Sequence, residues 1–395
     1  MPNTITTPST LSEWLDYMGN IHVSAIDMGL ERVLPVADKL GVLAHQLADK
    51  PYIFTVAGTN GKGSTTTAIA RMCEASGLKT ALYQSPHLVS FNERMCIDGV
   101  MIDDDTLMAA FAQVETVRVA CGLSLSFFEM TTLAAFWVFK QAQCDVWVLE
   151  IGLGGRLDVV NIITPDMCVI TNVDIDHTDW LGDDREKIGY EKAGILRKHG
   201  TLIYGERDMP SSVQDEIERK QATCYQLGQA YTYLDNGADW VYSCAAHTLR
   251  LPKPAISLIN ASTAVSAVLA SSLNITQDDI AKGLHKVALA GRFDKRVIDG
   301  RQWLFDVGHN EHGVRFLLGQ FVPYWQDFAK RYANGQLYIV FSMLADKDVD
   351  KVLSLMAGAN LPIKSWHIGT IDNVRAMQAG VLADKVQAHL PNANI

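Results

Sequence analysis

At 395 residues the chain is too long for one ordinary hydrophobic core, so two domains are expected, and its 48% hydrophobic and 20% charged residues describe a globular chain rather than a disordered or fibrous one. It carries 34 basic against 44 acidic residues, a net charge of −10, with no run of lysine or arginine. That balance argues against a general nucleic-acid binder and against attachment to an anionic membrane; an anionic ligand here needs a local cluster of donors. The seven cysteines (73, 96, 121, 144, 168, 224 and 244) are odd in number and scattered, with no Cys-x-x-Cys, which points to free thiols in a reducing compartment rather than disulfides or a zinc site. The N-terminal decapeptide lacks the basic and apolar regions of a signal peptide. No stretch reaches the roughly eighteen apolar residues of a membrane helix, so a cytoplasmic protein is expected.

In chain order, Thr10-Leu-Ser-Glu13 has the spacing of a capping box and opens a helix running toward Gly19. The apolar run 52–57 reads as a strand, and 62–76 follows with helical spacing. Residues 79–83 read as a strand, 105–120 and 129–143 as helices, and 145–151 and 166–173 as strands rich in β-branched residues. This alternation predicts an α/β fold with a mostly parallel sheet covered by helices. Between 201 and 251 the pattern breaks into short segments that resist ordering. Helical spacing returns at 260–273 and 277–287. Strand–helix alternation restarts after Ala290-Gly291-Arg292, with strands at 302–307 and 336–343 and helices at 313–321 and 349–356. The expected domains are therefore 1–294, of P-loop type, and a smaller 295–395.

The strongest chemical signal is Gly58-Thr59-Asn60-Gly61-Lys62-Gly63-Ser64, between the strand at 52–57 and the helix that follows. Its glycines let backbone N–H groups approach phosphate oxygens, and the helix N-terminus favours anions. Lys62 supplies a cation, and Ser64, Thr65 and Thr66 supply hydroxyls. The strict Walker A spacing fails, because Gly63 follows the lysine and the first glycine lies too close. A second signal is the strand end Asp145-Val-Trp-Val-Leu-Glu150 followed by Gly152-Leu-Gly-Gly-Arg156-Leu157-Asp158. Ligands of open α/β sheets lie beyond the carboxyl ends of the strands, so Glu150 stands either where a magnesium ligand is wanted or as a solvated strand end. A third strand-end loop, Asp174-Ile-Asp176-His177-Thr-Asp179-Trp-Leu-Gly182, sets a histidine among three aspartates. It reads equally as functional or as structurally satisfied. Lys192, in Glu191-Lys-Ala-Gly194, reads by itself as a solvated helix lysine.

Taken in order, these motifs resemble the folylpolyglutamate synthase/dihydrofolate synthase family, a branch of the Mur ligase superfamily. The resemblance rests on 58–64, Ser85-Pro-His-Leu with Phe91-Asn-Glu-Arg, and Gly152-Leu-Gly-Gly-Arg-Leu-Asp. It continues through Asp176-His-Thr-Asp-Trp-Leu-Gly, Glu191-Lys-Ala-Gly-Ile, Gly291-Arg-Phe, Asp306-Val-Gly-His-Asn and Ala345-Asp-Lys-Asp. It implies a first domain like the Mur ligase central domain and a Rossmann-like second domain. It also implies ATP and Mg²⁺ as cofactors, and dihydropteroate, folates and L-glutamate as substrates of a cytoplasmic, monomeric ligase. Thr59, Asn60, Gly61, Lys62, Gly63 and Ser64 would then hold ATP phosphates, and Ser85, Glu150 and His177 would hold Mg²⁺. Lys192 would be carbamylated beside the metal. Asn260, Arg292 and Asp306 match ATP-contacting positions, with His309 a further catalytic candidate beside Lys62 and Lys192. The segments Asp27-Met28-Gly29-Leu30, Ser126-Phe127-Phe128-Glu129 and Leu157-Asp158 match the dihydropteroate pocket of bifunctional members.

The sequence departs from the family pattern at Gly308, where alanine is usual, and at Glu311, where proline is usual. Family members also continue through a strand carrying Gly-Ser-x-His, whereas this chain ends at Ile395, so a shortened second domain is expected. Two other readings compete. A Mur ligase acting on UDP-linked precursors usually has its own N-terminal domain, and only about fifty residues precede the loop at 58. A nucleotide-binding module that has lost catalysis is the other.

Overall fold

The computed structural model of the chain describes residues 8–22, 29–47 and 49–395. It divides into two compact units, 1–289 and 290–395. The division falls just before the Ala290-Gly291-Arg292 joint, five residues before the boundary expected from the alternation. Residues 291 and 293 are tied to the second unit: Asp294 accepts from Gly291 N (3.2 Å) and Asp306 from Phe293 N (2.9 Å).

The first unit opens with α1 (Leu11–Asn20), whose capping box at Thr10 and Glu13 forms as the spacing predicts, and α2 (Val33–Leu40). Then come β1 (Tyr52–Ala57), α3 (Lys62–Ala75), β2 (Thr80–Tyr83), and the short strands β3 (Met95–Ile97) and β4 (Val100–Met101). After α4 (Asp104–Cys121) and α5 (Phe127–Gln141) the chain returns as β5 (Val146–Glu150) and β6 (Met167–Ile170). Next are α6 (Thr178–Leu181), α7 (Arg185–Ala193), β7 (Thr201–Tyr204), α8 (Ser211–Lys220) and β8 (Thr223–Gln226). A meander of β9 (Tyr231–Asp235), β10 (Asp239–Cys244) and β11 (Thr248–Pro252) precedes α9 (Leu258–Leu269) and α10 (Gln277–His285).

The main sheet has the order β4-β3-β2-β5-β1-β6-β7-β8. From β2 to β8 all pairings are parallel, while the β3–β4 hairpin is antiparallel at one edge. Both faces are covered. Ile53, Trp147, Leu149, Ile170 and Tyr204 enter one apolar layer with α1, α2, α4, α5 and α7, and Phe54, Val56, Val148, Val169 and Ile203 enter the other with α3, α9 and α10. A strand buried on both sides needs no polar alternation, which is why these strands read as unbroken apolar runs.

The segment at 201–251 resisted ordering for a physical reason. Strand β8 is a sheet edge, and the meander has one wet face carrying Thr232, Leu234, Thr248 and Arg250. The hairpin β3–β4 turns at Asp98-Gly99, both with positive φ (50° and 75°), an Asp-Gly turn signal present in the sequence.

The second unit holds an antiparallel hairpin, β12 (Asp294–Ile298) and β13 (Arg301–Phe305), then α11 (Glu311–Arg331), β14 (Leu337–Phe341), α12 (Val349–Gly358), β15 (Ile363–Ile368) and α13 (Ala379–His389). Strands β14 and β15 pair in parallel, and a small core of Val314, Leu353, Trp366, Leu382 and Val386 joins them to the helices. Helix α11 runs ten residues past the expected end at 321, straight through Pro323. Aromatic contacts one helical turn apart, Tyr324 with Phe328 and Phe328 with Tyr332, hold the continuation despite the lost hydrogen bond.

Candidate active site

Strand β1 lies between β5 and β6, so the loops leaving the carboxyl ends of these three strands are neighbours although β1 ends at Ala57 and the other two begin at Val146 and Met167. The loop after β1 turns at Gly58 (φ 152°) and Gly61 (φ 79°), conformations that side chains disfavour. Space is equally restrictive. A β-carbon at Gly58 would lie 1.8 Å from Thr171 Oγ1, and one at Gly61 would lie 2.5 Å from Asn260 Oδ1 on α9. Helix α3 starts at Lys62 with no side-chain cap, and among the described residues no hydrogen bond occupies the amides of Lys62, Gly63 and Ser64. An uncapped helix start with free amides is an anion site. Lys62 Nζ folds back onto the loop, donating to the carbonyls of Gly58 (3.0 Å) and Thr59 (3.3 Å).

Glu150, at the end of β5, is buried (5% exposed), which removes the solvated strand-end reading. Its Oε2 would stand 3.5 Å from a β-carbon at Gly63, so the carboxylate sits beside the first turn of α3. One small pocket is lined by Gly58, Thr59, Lys62, the run 151–154, Asp176, His177, Leu181 and Lys192. Three of the sequence motifs therefore share a wall. Lys192, on α7, is 3% exposed rather than solvated, and burial together with the nearby charge of Lys62 pushes its pKa down to about 7. An amine with that pKa is neutral, and so nucleophilic, in about half of the molecules at neutral pH. His177 is exposed, with φ 53°.

The loop at 152–158 is packed rather than open. Asp158 is buried, and its carboxylate accepts from Leu153 N (2.8 Å) and Val160 N (2.8 Å); burial raises its pKa to about 6 against the pull of those amides. Arg156 binds Glu191 with Nε and Nη2 (3.1 and 2.8 Å), tying the loop to α7 one residue before Lys192. Leu157 is half-buried beside it. A β-carbon at Gly152 would meet Phe128 Cζ at 2.5 Å, so the α5 start touches the same loop.

Ser126 caps α5 by a capping box with Glu129. The second oxygen of Glu129 accepts from Arg32 Nη2 (2.8 Å), so both carboxylate oxygens have protein partners. Phe127 packs edge-on to Phe91 (6.0 Å between centroids), and Phe128 lies 6.3 Å from Tyr83. Gly29 and Leu30 lie just before α2; Asp27 and Met28 fall outside the described residues. Ser85, half-buried, follows β2. Among the described residues no group of three or more His, Cys, Asp and Glu side chains is assembled for a metal; of the expected set Ser85, Glu150 and His177, His177 lines the pocket and Glu150 lies beside Gly63. Ser85 and Glu150 bear the hard oxygen donors that Mg²⁺ takes, whereas His177 offers a nitrogen.

In the second unit, Asp306 holds the 291–293 turn and Gly308 N (2.8 Å), His309 Nδ1 lies 3.0 Å from Val307 O, and Arg292 is exposed. Sequence reasoning passed over Thr171 and Asn172. Each is a polar residue at a strand end or in a site loop, and that placement was the available signal.

Comparison with known proteins agrees with this geometry. Residues 56–242 match the Mur ligase middle domain. The chain is 40% identical to the dihydrofolate synthase/folylpolyglutamate synthase of Escherichia coli over 97% of its length and 86% of that protein's, and 36% identical to the Haemophilus influenzae enzyme over 97% and 88%. A structure of E. coli FolC in complex with DHPP and ADP is similar at a TM-score of 0.88, with 38% identity, covering 99% of this chain and 94% of that one. The Yersinia pestis enzyme complexed with AMPPNP and Mn ion gives 0.87, with 37% identity over 99% and 90%. No helix of the described residues is long and apolar enough to cross a membrane. With ordered motifs, fold and a likeness that spans most of both chains in agreement, the chain belongs to the dihydrofolate synthase/folylpolyglutamate synthase family of Mur-type ligases.

Proposed function

We propose that this chain uses ATP to join L-glutamate to dihydropteroate, giving dihydrofolate, and to folates, extending their glutamate tails. The observation that carries the reading is the shared pocket. The phosphate loop, the 152–158 loop and Lys192 line one cavity, and the 152–158 loop also touches Phe128 of the expected pteroate segment. The reaction needs that juxtaposition, because a carboxylate is a poor acyl donor until it carries a leaving group. A carboxylate oxygen of the pteroate or folate forms a bond to the γ-phosphorus as its bond to the β–γ bridging oxygen breaks, releasing ADP. The glutamate amine then attacks the acyl carbon, loses a proton and expels phosphate.

Phosphoryl transfer is mainly positioning and charge stabilisation. The free amides at 62–64 receive phosphate oxygens, and Lys62 exchanges its two carbonyl partners for them. Thr59, Asn60 and Gly61 shape the loop, and Asn260 closes it from α9. Ser85, Glu150 and His177 would hold Mg²⁺, which supplies positive charge to the phosphate oxygens when bound. The neutral amine of Lys192 has the reactivity to add to CO₂ and release a proton, giving an anionic carbamate that would be an oxygen donor near that site. Phe127, Phe128, Leu157, Gly29 and Leu30 would form the pteroate side, with Ser126, Glu129 and Asp158 fixing its backbone. Arg292, Asp306 and His309 are the second unit's candidates for nucleotide contacts. By this reading the first domain binds ATP and pteroate.

The test measures ADP release with dihydropteroate, with folates and with UDP-muramoyl substrates, each with and without L-glutamate. Release is expected when a pteroate or folate and glutamate are both present. Release that depends on a UDP-sugar, or none with any pair, overturns the reading. Lys62→Ala is expected to lower turnover by about 100-fold or more, the scale of losing a charge-assisted contact in a closed site. Near-parental turnover would place the phosphates elsewhere.

A further inference from the structure

The phosphate loop is held from behind by the strand end of β6. Asn172 Oδ1 accepts the amides of Thr59 (3.1 Å) and Asn60 (2.8 Å), and Asn172 O lies 3.1 Å from the same Thr59 amide. Thr171 Oγ1 donates to Asn60 O (2.6 Å). Thr59 Oγ1 bridges Asp174, donating to its carbonyl and accepting from its amide, both at 3.0 Å. Asn172 and Thr171 are 4% and 2% exposed, so these bonds form where water offers little competition. The division of labour is clear: loop amides 59 and 60 face Asn172, while amides 62–64 stay free at the start of α3.

We propose that Asn172, assisted by Thr171, is the positioning residue for the nucleotide phosphates. The proposal rests on reading 58–64 as the phosphate loop. An empty phosphate loop tends to turn its amides onto its own carbonyls or onto water. By satisfying the first two loop amides, Asn172 keeps the following ones aimed at the ligand. An asparagine is suited to this task because its neutral oxygen accepts two N–H groups without setting a negative charge beside the phosphates. The same backbone continues within five residues to Asp176 and His177, so the clamp also sets the spacing between the phosphate loop and the opposite wall of the pocket.

The test uses the full chain, with ATP affinity measured by calorimetry and KM measured separately for ATP and dihydropteroate. Asn172→Ala is expected to weaken ATP binding about 10- to 100-fold, the scale of losing buried hydrogen bonds at one residue, with the dihydropteroate KM changing less than about twofold. Asn172→Asp keeps the shape and the acceptors but adds charge, so it should retain the parental melting temperature and still lose ATP affinity. Thr171→Val should weaken ATP binding and Thr171→Ser should restore it; this pair serves if Asn172→Ala does not fold. A fall in melting temperature with unchanged ATP affinity in Asn172→Ala, or parental ATP affinity in both Asn172→Asp and Thr171→Val, overturns the proposal. Lys62→Ala separates the two levels. If it too binds ATP normally, the phosphate-loop reading has failed; if it alone loses ATP, the clamp has failed.

Discussion

Two glycine-rich loops leave adjacent strands of the main sheet, one after β1 at 58–64 and one after β5 at 152–158, and they use glycine for different ends. In the first, Gly58 and Gly61 adopt backbone conformations with positive φ, and the amides of 62–64 at the start of α3 stay unpaired. In the second, Gly152 and Gly155 admit close neighbours, the ring of Phe128 and the carbonyl of Glu191 (2.8 Å from a β-carbon at Gly155). There the amides of Leu153 and Val160 are filled internally by Asp158. The first loop stays open to a ligand and the second is already packed, so substitutions in the two should separate nucleotide from pteroate effects.

The largest expected effect is Gly58→Ala. The added carbon would meet Thr171 Oγ1 at 1.8 Å at a φ of 152°, so strain and clash combine to cost about 3 kcal/mol or more. Chemical denaturation should show that loss. Parental stability with normal ATP affinity would mean that the loop tolerates a side chain. Gly152→Ala has no unfavourable φ to contend with, but it forces the Phe128 ring aside, at about 1–3 kcal/mol of overpacking. Its kinetic signature should be a raised KM for dihydropteroate with KM for ATP little changed; the reverse pattern would erase the contrast between the loops. Gly61→Ala meets Asn260, a side chain that can shift, so a stability loss of about 1 kcal/mol is expected, with the activity loss appearing in KM for ATP.

The smallest effect is a pH dependence. Glu206 follows β7, and burial raises its carboxyl pKa to about 7, against the opposing pull of the Val173 amide and Arg185. A raised carboxyl pKa favours the protonated group in the folded state. The associated stability is present below the ordinary carboxylate range and is lost as pH rises through 7. Glu206→Gln should therefore flatten the fall in melting temperature between pH 5 and 8. Parallel curves for the parent and the variant would show that Glu206 does not titrate in this range.

The sequence made the central strand–loop–helix unit legible because β1 and α3 satisfy local rules: an apolar run, glycines, then helical spacing. Lys192 shows the limit of such reading. Its spacing places it on a helix, but only the pairing of distant strands and the packing of α7 bury it and lower its pKa. Glu150 was ambiguous for the same reason, since burial belongs to the sheet and not to the segment. The Asp98-Gly99 and Asp299-Gly300 turns were readable but passed over, and each joins a hairpin. The helix expected to end at 321 continues through Pro323, held by aromatic contacts along α11.

The strand order carries a consequence for how the molecule is made. Thr55 pairs with Leu149 on one side and Cys168 on the other, so the pocket is assembled from segments far apart along the chain. Such pairings form slowly, because loop-closure entropy is spent before the contacts reward it. On a ribosome, the phosphate loop emerges more than a hundred residues before Asn172, the residue that braces it. If Asn172 braces the loop as proposed, then until that strand end is synthesised and paired the early segment would lack a formed nucleotide site, and ATP would not act on it as a folding ligand.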